Sequence, residues 1–207
     1  MQRKTRAVFV GLLFILLVVI LTGTALIGQG KIASPANGFP REKSSSITKN
    51  QEDVAALEAA VAANPEDTAA RLKLADAYFN LGLQEKATMP EQAVRHFRQA
   101  AGAYQEAVKR RDSVQATVNL AVAAFYGKDD DLAEQVFKAA VIKYPYTFDV
   151  HFNYGIFLYH AKQDYSASIE EWQRALELKP SGPQADQLHK LIAGLQTQIR
   201  EGQVKQP

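Results

Sequence analysis

The four histidines of this chain are its best candidates for metal binding or proton transfer, and they stand at His96, His151, His160 and His189. None belongs to an H-E-x-x-H pair, the spacing that places two imidazoles on one face of a helix. His151 and His160 are nine residues apart, so a helix points them in different directions. The chain also has no cysteine, which excludes thiolate metal sites, disulfides and cysteine nucleophiles. We expect these histidines to be solvated or to line a binding surface.

Acidic residues cluster at Glu170-Glu171 and at Asp129–Asp131. Adjacent helical positions point about 100° apart, so the two glutamates do not form an acid/base pair. The aspartates lack the ligand pattern of a calcium loop, and we expect a capped, solvated turn there. No G-x-x-x-x-G-K or G-x-G-x-x-G phosphate loop and no G-x-S-x-G nucleophile motif occurs. The sequence therefore predicts no enzyme, no metal site and no cofactor.

The charge balance excludes a further class of function. The chain has 24 Lys and Arg residues against 22 Asp and Glu, a formal net charge of +2 at pH 7. Three of the bases lie within residues 1–6, so the remainder is close to neutral. A nucleic-acid interface requires clustered positive charge. We therefore expect no nucleic-acid partner.

Residues 7–28 contain no charged side chain. As a helix they span about 33 Å, which matches a hydrocarbon core of about 30 Å. The alternative is a cleaved signal peptide, but the apolar core of such a peptide is usually only about 7–15 residues long. We favour an uncleaved, single-pass anchor in the cytoplasmic membrane. The basic segment 1–6 favours a cytoplasmic N-terminus and an extracytoplasmic remainder, although basic residues between 31 and 49 reduce the asymmetry.

The composition changes twice after this span. Residues 29–50 contain two prolines, two glycines and a triple serine, which predicts a flexible linker. Residues 51–201 are rich in alanine, with apolar residues at helical spacing and no alternating strand pattern. Residues 202–207 form a polar tail. The sequence therefore predicts an all-α fold after the linker.

The helical signals come in pairs that recur along the chain. Pro145 and Pro180, which are 35 residues apart, each end the second helix of a pair. Residues at matching offsets in the two pairs are Leu120-Ala121, Ala133, Phe137 and Ala140, and then Tyr154-Gly155, Ser168, Trp172 and Ala175. This skeleton resembles the tetratricopeptide repeat, a helix–turn–helix unit of 34 residues. The resemblance implies an α-solenoid of stacked helical hairpins.

The resemblance covers about residues 54–182 and divides them into four parts. These are a half repeat at 54–67 that lacks its first helix, and repeats at 68–113, 114–147 and 148–182. The surplus length of the first full repeat predicts one long helix that begins near Pro90, and the last repeat has one extra turn residue. Asp131 and Asp164 are predicted to cap second helices. Residues 183–201 carry one apolar stripe, which predicts a capping helix that closes the core.

In this repeat family the first helices line a concave groove, so the resemblance implies a protein or peptide partner. Carried over by position, the groove residues are Lys73, Asp76, Asn80, Gln115, Asn119, Tyr126, Asp149, Phe152, Asn153 and Tyr159. Asn119 and Asn153 occupy equivalent positions, where an amide can bond to a ligand's backbone. Acidic Asp76 and Asp149 stand where a carboxylate clamp needs donors, which argues against that ligand. The aromatic residues instead predict an apolar segment as ligand, with about half of the rings packed between helices.

Together these features predict a membrane-anchored interaction scaffold or assembly adaptor. A narrower alternative follows from the order of anchor and repeats, which is similar to the repeat domains of cytochrome c maturation proteins that bind an apoprotein segment. A second alternative uses the long helix or the capping helix for self-association. The sequence does not select the partner.

Overall fold

The computed structural model describes the backbone of residues 41–204 and the side chains of residues 50–204. The predicted basic segment, the predicted membrane span, residues 29–40 of the linker and the last three residues of the tail lie outside these ranges. Among the described helices, none combines the length and the apolar content that crossing a bilayer requires.

Every regular element of the described chain is a helix, as the sequence predicts. The α-helices are α1 Arg41–Ala63, α2 Thr68–Glu85, α3 Pro90–Arg110, α4 Val114–Tyr126, α5 Asp130–Lys143, α6 Phe148–Phe157, α7 Tyr165–Leu178 and α8 Pro183–Arg200, and a π-helix, Leu158–Lys162, extends α6. Helices α2 and α3, α4 and α5, and α6 and α7 pair as three hairpins, and each hairpin packs on the next. The long helix begins at Pro90 as predicted. The result is a stack of helical hairpins with α8 packed on α7 at its end.

The linker prediction is wrong at its C-terminal end, because residues 41–50 are the first turns of α1. The last helix breaker before α1 is Pro40, and the next is Pro65. Once residues 54–63 are helical, each added residue gains one backbone hydrogen bond without a new nucleation cost, so the helix extends back to residue 41. Tyr78 of α2 donates its hydroxyl to the carboxylate of Glu58 and joins α1 to the stack.

In the first and third hairpins, the two helices approach each other where a glycine faces an aromatic ring. A Cβ placed on Gly155 of α6 would lie 2.5 Å from the indole of Trp172 in α7. A Cβ placed on Gly82 of α2 would lie 2.9 Å from the ring of Phe97 in α3. Trp172 and Phe97 are 3% and 1% exposed, so each ring fills the space that its glycine leaves. The small-and-bulky pairing predicted for the repeat therefore determines the distance between the paired helices.

The turns inside the second and third hairpins are capped by aspartate. Asp164 accepts a hydrogen bond from the backbone N–H of Ala167 at 3.0 Å, as predicted. In the preceding hairpin the cap is Asp129, which accepts from the N–H of Leu132 at 3.1 Å, and the prediction of Asp131 is wrong. α5 begins at Asp130, so Asp131 already lies inside the helix. The extra residue of the last repeat is taken up by the π-helix, whose turns contain more residues than α-helical turns.

Two buried histidine–glutamate pairs also join the helices of hairpins. His151 of α6 is 3% exposed; its Nδ1 lies 2.7 Å from Oε2 of Glu171, and its Nε2 lies 2.9 Å from the carbonyl oxygen of Pro145. Glu85 of α2 is fully buried, and its Oε2 lies 2.6 Å from Nδ1 of His96 in α3. The expectation that His151 is solvated or lines the binding surface is therefore wrong. Its imidazole lies inside the hairpin because α7 supplies a carboxylate acceptor there.

We expect Gly155→Ala to destabilise the stack, because the new methyl group overlaps the indole of Trp172. Overpacking of this kind costs about 1–3 kcal/mol in the free energy of unfolding, measured by denaturant titration. The control is Gly194→Ala in α8, where an added Cβ has nothing within 4 Å. That exchange is expected to stabilise the helix by up to about 1 kcal/mol. Equal effects of the two substitutions would contradict the close approach at Gly155.

Candidate functional site

The residues predicted to bind a partner lie on the first helices of the three hairpins, α2, α4 and α6, and on the π-helix that extends α6. On α2, Lys73, Asp76 and Asn80 are all exposed and follow one another at helical spacing. They border an open pocket of about 710 Å³ between α1 and α2. The first helix of the first full repeat therefore presents a polar stripe that ligands can reach.

A chain of side-chain hydrogen bonds connects α2 to α4 through α3. Gln115 donates from Nε2 to Oδ1 of Asn119 at 2.9 Å, and Asn119 donates from Nδ2 to the hydroxyl of Tyr104 at 3.4 Å. Tyr104 in turn donates its hydroxyl to Oδ1 of Asp76. We call these four residues the polar network. The structure thus brings together three of the predicted site residues, and it orients the Asn119 amide by bonds on both of its polar atoms.

Tyr104 was not among the residues predicted from the sequence. It lies in α3, a second helix, and its ring is only 2% exposed although its hydroxyl reaches the first-helix face. Burial, the nearby charge of Asp76 and the hydrogen bond to Asp76 raise the pKa of the Tyr104 phenol. The signal that could have identified it is a tyrosine, rather than a phenylalanine, on the apolar stripe of the extra turns of α3. A buried tyrosine hydroxyl usually has a hydrogen-bond partner.

The third hairpin departs from the prediction. Phe152 is 1% exposed and Asn153 is 4% exposed, so neither side chain is open to a ligand. Asn153 donates from Nδ2 to the carbonyl oxygen of Asp149 in its own helix at 2.7 Å, whereas Asn119 bonds to the hydroxyl of Tyr104 in α3. The backbone oxygen of Phe152 accepts from Nε1 of Trp172 at 3.2 Å. The two asparagines occupy equivalent repeat positions, but only Asn119 is accessible to a ligand, because α6 is enclosed by its neighbours.

The carboxyl group of Asp149 is half-buried at the start of α6. Burial raises the pKa of this carboxyl group, and the positive charge of Lys179 partly opposes that rise. Lys179 also lies over the ring of Phe148, with its Nζ 5.4 Å from the ring centroid. Asp149 thus lies near Lys179, the residue that follows α7, rather than at the centre of an open surface.

Of the two predicted tyrosines, only Tyr159 is partly exposed. Tyr126 is 8% exposed and stacks on Phe97, with ring centroids 4.9 Å apart, while Nζ of Lys86 lies 4.3 Å from its centroid. Tyr159 lies against Tyr165 and Trp172 at centroid distances of 5.4 and 5.9 Å. The aromatic residues mostly build the seams between helices, and the accessible first-helix face is polar on α2 and on the first turns of α4.

The chemistry available on this face is hydrogen bonding and charge pairing. Amide groups on Gln115 and Asn119 can donate and accept, and Asp76 and Lys73 carry opposite charges. Within residues 50–204, no group of three histidine or acidic side chains is placed to hold a metal ion. The arrangement can recognise a polar or helical segment of another molecule, and it offers no paired nucleophile and base.

The comparisons with known proteins agree with this architecture. The tetratricopeptide repeat family matches residues 54–88 and 91–148, a range that begins inside α1. No curated protein sequence matches the chain. A crystal structure of MamA is 15% identical, with a TM-score of 0.55 over 81% of this chain and 98% of that one. A second MamA structure is 19% identical, with a TM-score of 0.56 over 78% of this chain and 82% of that one.

A third similar structure is the human IFIT1 dimer with PPP-AAAA. It is 20% identical, with a TM-score of 0.63 over 79% of this chain and 38% of that one. At these identities the three structures share the fold alone with this chain. The family match and the helical hairpins of the structure together establish that residues 54–88 and 91–148 consist of tetratricopeptide repeats.

Proposed function

We propose that this chain is a membrane-anchored interaction scaffold, or assembly adaptor, that binds a protein partner on its first-helix face. The observation that carries the proposal is the polar network, which ends in exposed side chains at Gln115 on α4 and Asp76 on α2. Its hydrogen bonds fix the amide of Asn119 before a ligand arrives, which lowers the entropy cost of binding. Repeat solenoids of this family bind protein partners on such a face.

The proposal assigns no catalytic role to the chain. Its support is the absence, within residues 50–204, of a metal-ligating cluster, together with the lack of phosphate-loop and nucleophile motifs in the sequence. Residues 7–28 hold the repeat domain at the cytoplasmic membrane, and the repeat domain lies on the extracytoplasmic side. The support for this placement is the uncharged span and the basic residues that precede it.

The narrower hypotheses stay predictions. A role in cytochrome c maturation rests on the resemblance in domain order, and no residue contact in the described part of the chain favours it over other assembly tasks. Self-association through α3 or α8 likewise stays a prediction.

The polar network predicts a specific dependence of stability on alkaline pH. Because the pKa of Tyr104 is raised in the folded chain, the unfolded chain loses its phenol proton first, near pH 10. Below that pH the phenol is protonated in both states and contributes no pH dependence. Above it the free energy of unfolding falls as pH rises, and Tyr104→Phe is expected to reduce that slope. Denaturant titrations between pH 8 and 11 measure it.

The control for this substitution is Tyr146→Phe, since Tyr146 is 86% exposed. It should leave both the slope and the stability near neutral pH unchanged. Tyr104→Phe should also cost about 1 kcal/mol near neutral pH through the lost hydrogen bonds. An unchanged alkaline slope in Tyr104→Phe would contradict the network.

The binding face predicts where a partner can be captured. A photo-crosslinking amino acid at Gln115, in the full chain in its native membrane, is expected to give a discrete adduct with another protein. Gln99, an exposed amide on α3, is the matched control position and should give none. Adding Asn119→Ala should lower the adduct yield at Gln115, because it removes the oriented amide. Equal adducts at the two positions, or none at Gln115, would contradict binding on this face.

The absence of cysteine permits a direct test of membrane orientation. Ser46→Cys, labelled in intact cells with a membrane-impermeant maleimide, is expected to react without permeabilisation. Deletion of residues 7–28 should release the chain from the membrane fraction. Labelling only after permeabilisation would place the repeat domain on the cytoplasmic side, and retention of the deleted chain would contradict the anchor.

A further inference from the structure

Within the described residues, the stack begins with a second helix, α1, and no first helix is paired with it. α1 packs against α2 in the way that α3 packs against α4 and α5 against α6. In the later repeats, the first helix of the preceding hairpin also contributes, since α4 contacts α6. No described helix takes that place beside α1 and α2. The described structure therefore leaves one helix position open at the start of the stack.

The open position is the pocket of about 710 Å³ between α1 and α2, which we call the α1–α2 slot. Its walls are one helical stripe from each helix: Asn50, Asp53 and Leu57 on α1, and Lys73, Asp76 and Asn80 on α2. Along α2 the lining runs from residue 73 to residue 84, which is about 17 Å, or three turns of helix. The slot is thus long enough for one short helix.

The third hairpin indicates what normally fills such a position. Asn153 and Phe157 of α6 are equivalent in the repeat to Lys73 and Ala77 of α2. In α6 these positions are 4% and 0% exposed, and the ring of Phe157 lies 5.7 Å from Phe125 of α4. In α2, Lys73 is exposed and Ala77 is only partly buried. The same face of a first helix is therefore covered by a helix in one repeat and uncovered in the other.

We propose that the α1–α2 slot binds an amphipathic helix of a partner protein that has small apolar residues on one face and basic residues beside them. This helix would complete the truncated first repeat. The inference rests on the proposed function, and it adds the conformation and charge of the partner. The apolar part of the slot lining includes Ala56, Leu57 and Ala77, which suit a narrow apolar stripe on the partner helix.

The charge of the partner follows from the walls. Two carboxylates, Asp53 and Asp76, line the slot against one amine, Lys73. Asp76 is exposed, and its Oδ1 accepts a hydrogen bond from the Tyr104 hydroxyl. A helix flanked by lysine or arginine can therefore pair with one carboxylate on each wall, whereas an acidic helix can pair only with Lys73. The whole chain has a net charge of +2, so a basic peptide gains no general attraction to it.

The test uses two synthetic 18-residue peptides as probes. Both carry alanine and leucine at helical spacing, and the remaining positions are lysine in one and glutamate in the other. Binding to the full chain in detergent micelles is measured by fluorescence anisotropy. The lysine peptide is expected to bind about tenfold more tightly than the glutamate peptide. Equal binding of the two peptides would overturn the assigned charge.

Matched variants separate the slot from the rest of the surface. Ala56→Trp fills the slot, and Asp53→Lys reverses the charge of the α1 wall. Each substitution is expected to weaken binding of the lysine peptide about tenfold. Ala59→Trp and Glu52→Lys change exposed neighbours on α1 that do not line the slot, and should change binding by less than about twofold. All four variants share the same micelle background. Equal affinities of Ala56→Trp and Ala59→Trp would overturn the proposal.

Three further outcomes have definite meanings. If the chain associates with itself in sedimentation experiments and Ala56→Trp alone abolishes that association, the occupant is a second copy and the proposed partner helix is wrong. If Gln115 gives no adduct, but the lysine peptide binds and Ala56→Trp and Asp53→Lys weaken that binding, then the proposal of binding at the polar network is wrong and the proposal for the α1–α2 slot is supported. If Gln115 gives an adduct but the slot variants do not change peptide binding, only the proposal for the α1–α2 slot is wrong.

Discussion

The close contact between a glycine on one helix and an aromatic ring on its partner is the constraint on which the rest of the stack depends. Gly155 lacks the Cβ that would overlap Trp172, so α6 and α7 can approach until the indole covers the glycine backbone. At that distance the indole Nε1 reaches the carbonyl oxygen of Phe152, and the hydroxyl of Ser168 reaches the carbonyl oxygen of Gly155 at 2.8 Å. These side-chain bonds exist only because the helices are so close, and they determine how one helix is aligned along the other.

Buried polar pairs add specificity to this packing. Both ring nitrogens of His151 lie within hydrogen-bond distance of oxygen atoms, Nδ1 of the Glu171 carboxylate and Nε2 of the Pro145 carbonyl, so the imidazole is held from two sides. Glu85 is fully buried, and its Oε1 has no hydrogen-bond partner. A buried carboxylate is costly unless its oxygens are satisfied, so this pair contributes little net stability. Its effect is to penalise any sliding of α2 along α3 that would separate Glu85 from His96.

The sequence predicted the helical class, the hairpin repeats and the long α3, because these follow from spacing that local chemistry determines. Pro90, Pro145 and Pro180 limit helices wherever they occur, and the small and bulky residues Ala121 and Phe137 recur one repeat later as Gly155 and Trp172. The start of α1 is not predicted, because the serine-rich stretch has a weak helix propensity. It is helical because no helix breaker lies between Pro40 and Pro65, so the helix formed by the following residues continues through it. Positions of the binding face were predicted less well. The position of a residue in the repeat determines which face of the helix its side chain occupies. Its burial depends on which other helices cover that face, and these differ between α2 and α6.

That difference between hairpins limits where a partner can make contact. On α6 the equivalent side chains are enclosed, and the amide of Asn153 is used inside its own helix. On α4 the amide of Asn119 is partly exposed and is held by Gln115 and Tyr104. On α2 the whole stripe is open and charged. Accessible hydrogen-bonding groups therefore increase toward α1, and a partner that binds as proposed would gain most of its specific polar contacts from the first two full repeats. The third repeat, with its buried aromatic residues and α8 packed behind it, serves mainly to hold the end of the stack in a fixed conformation.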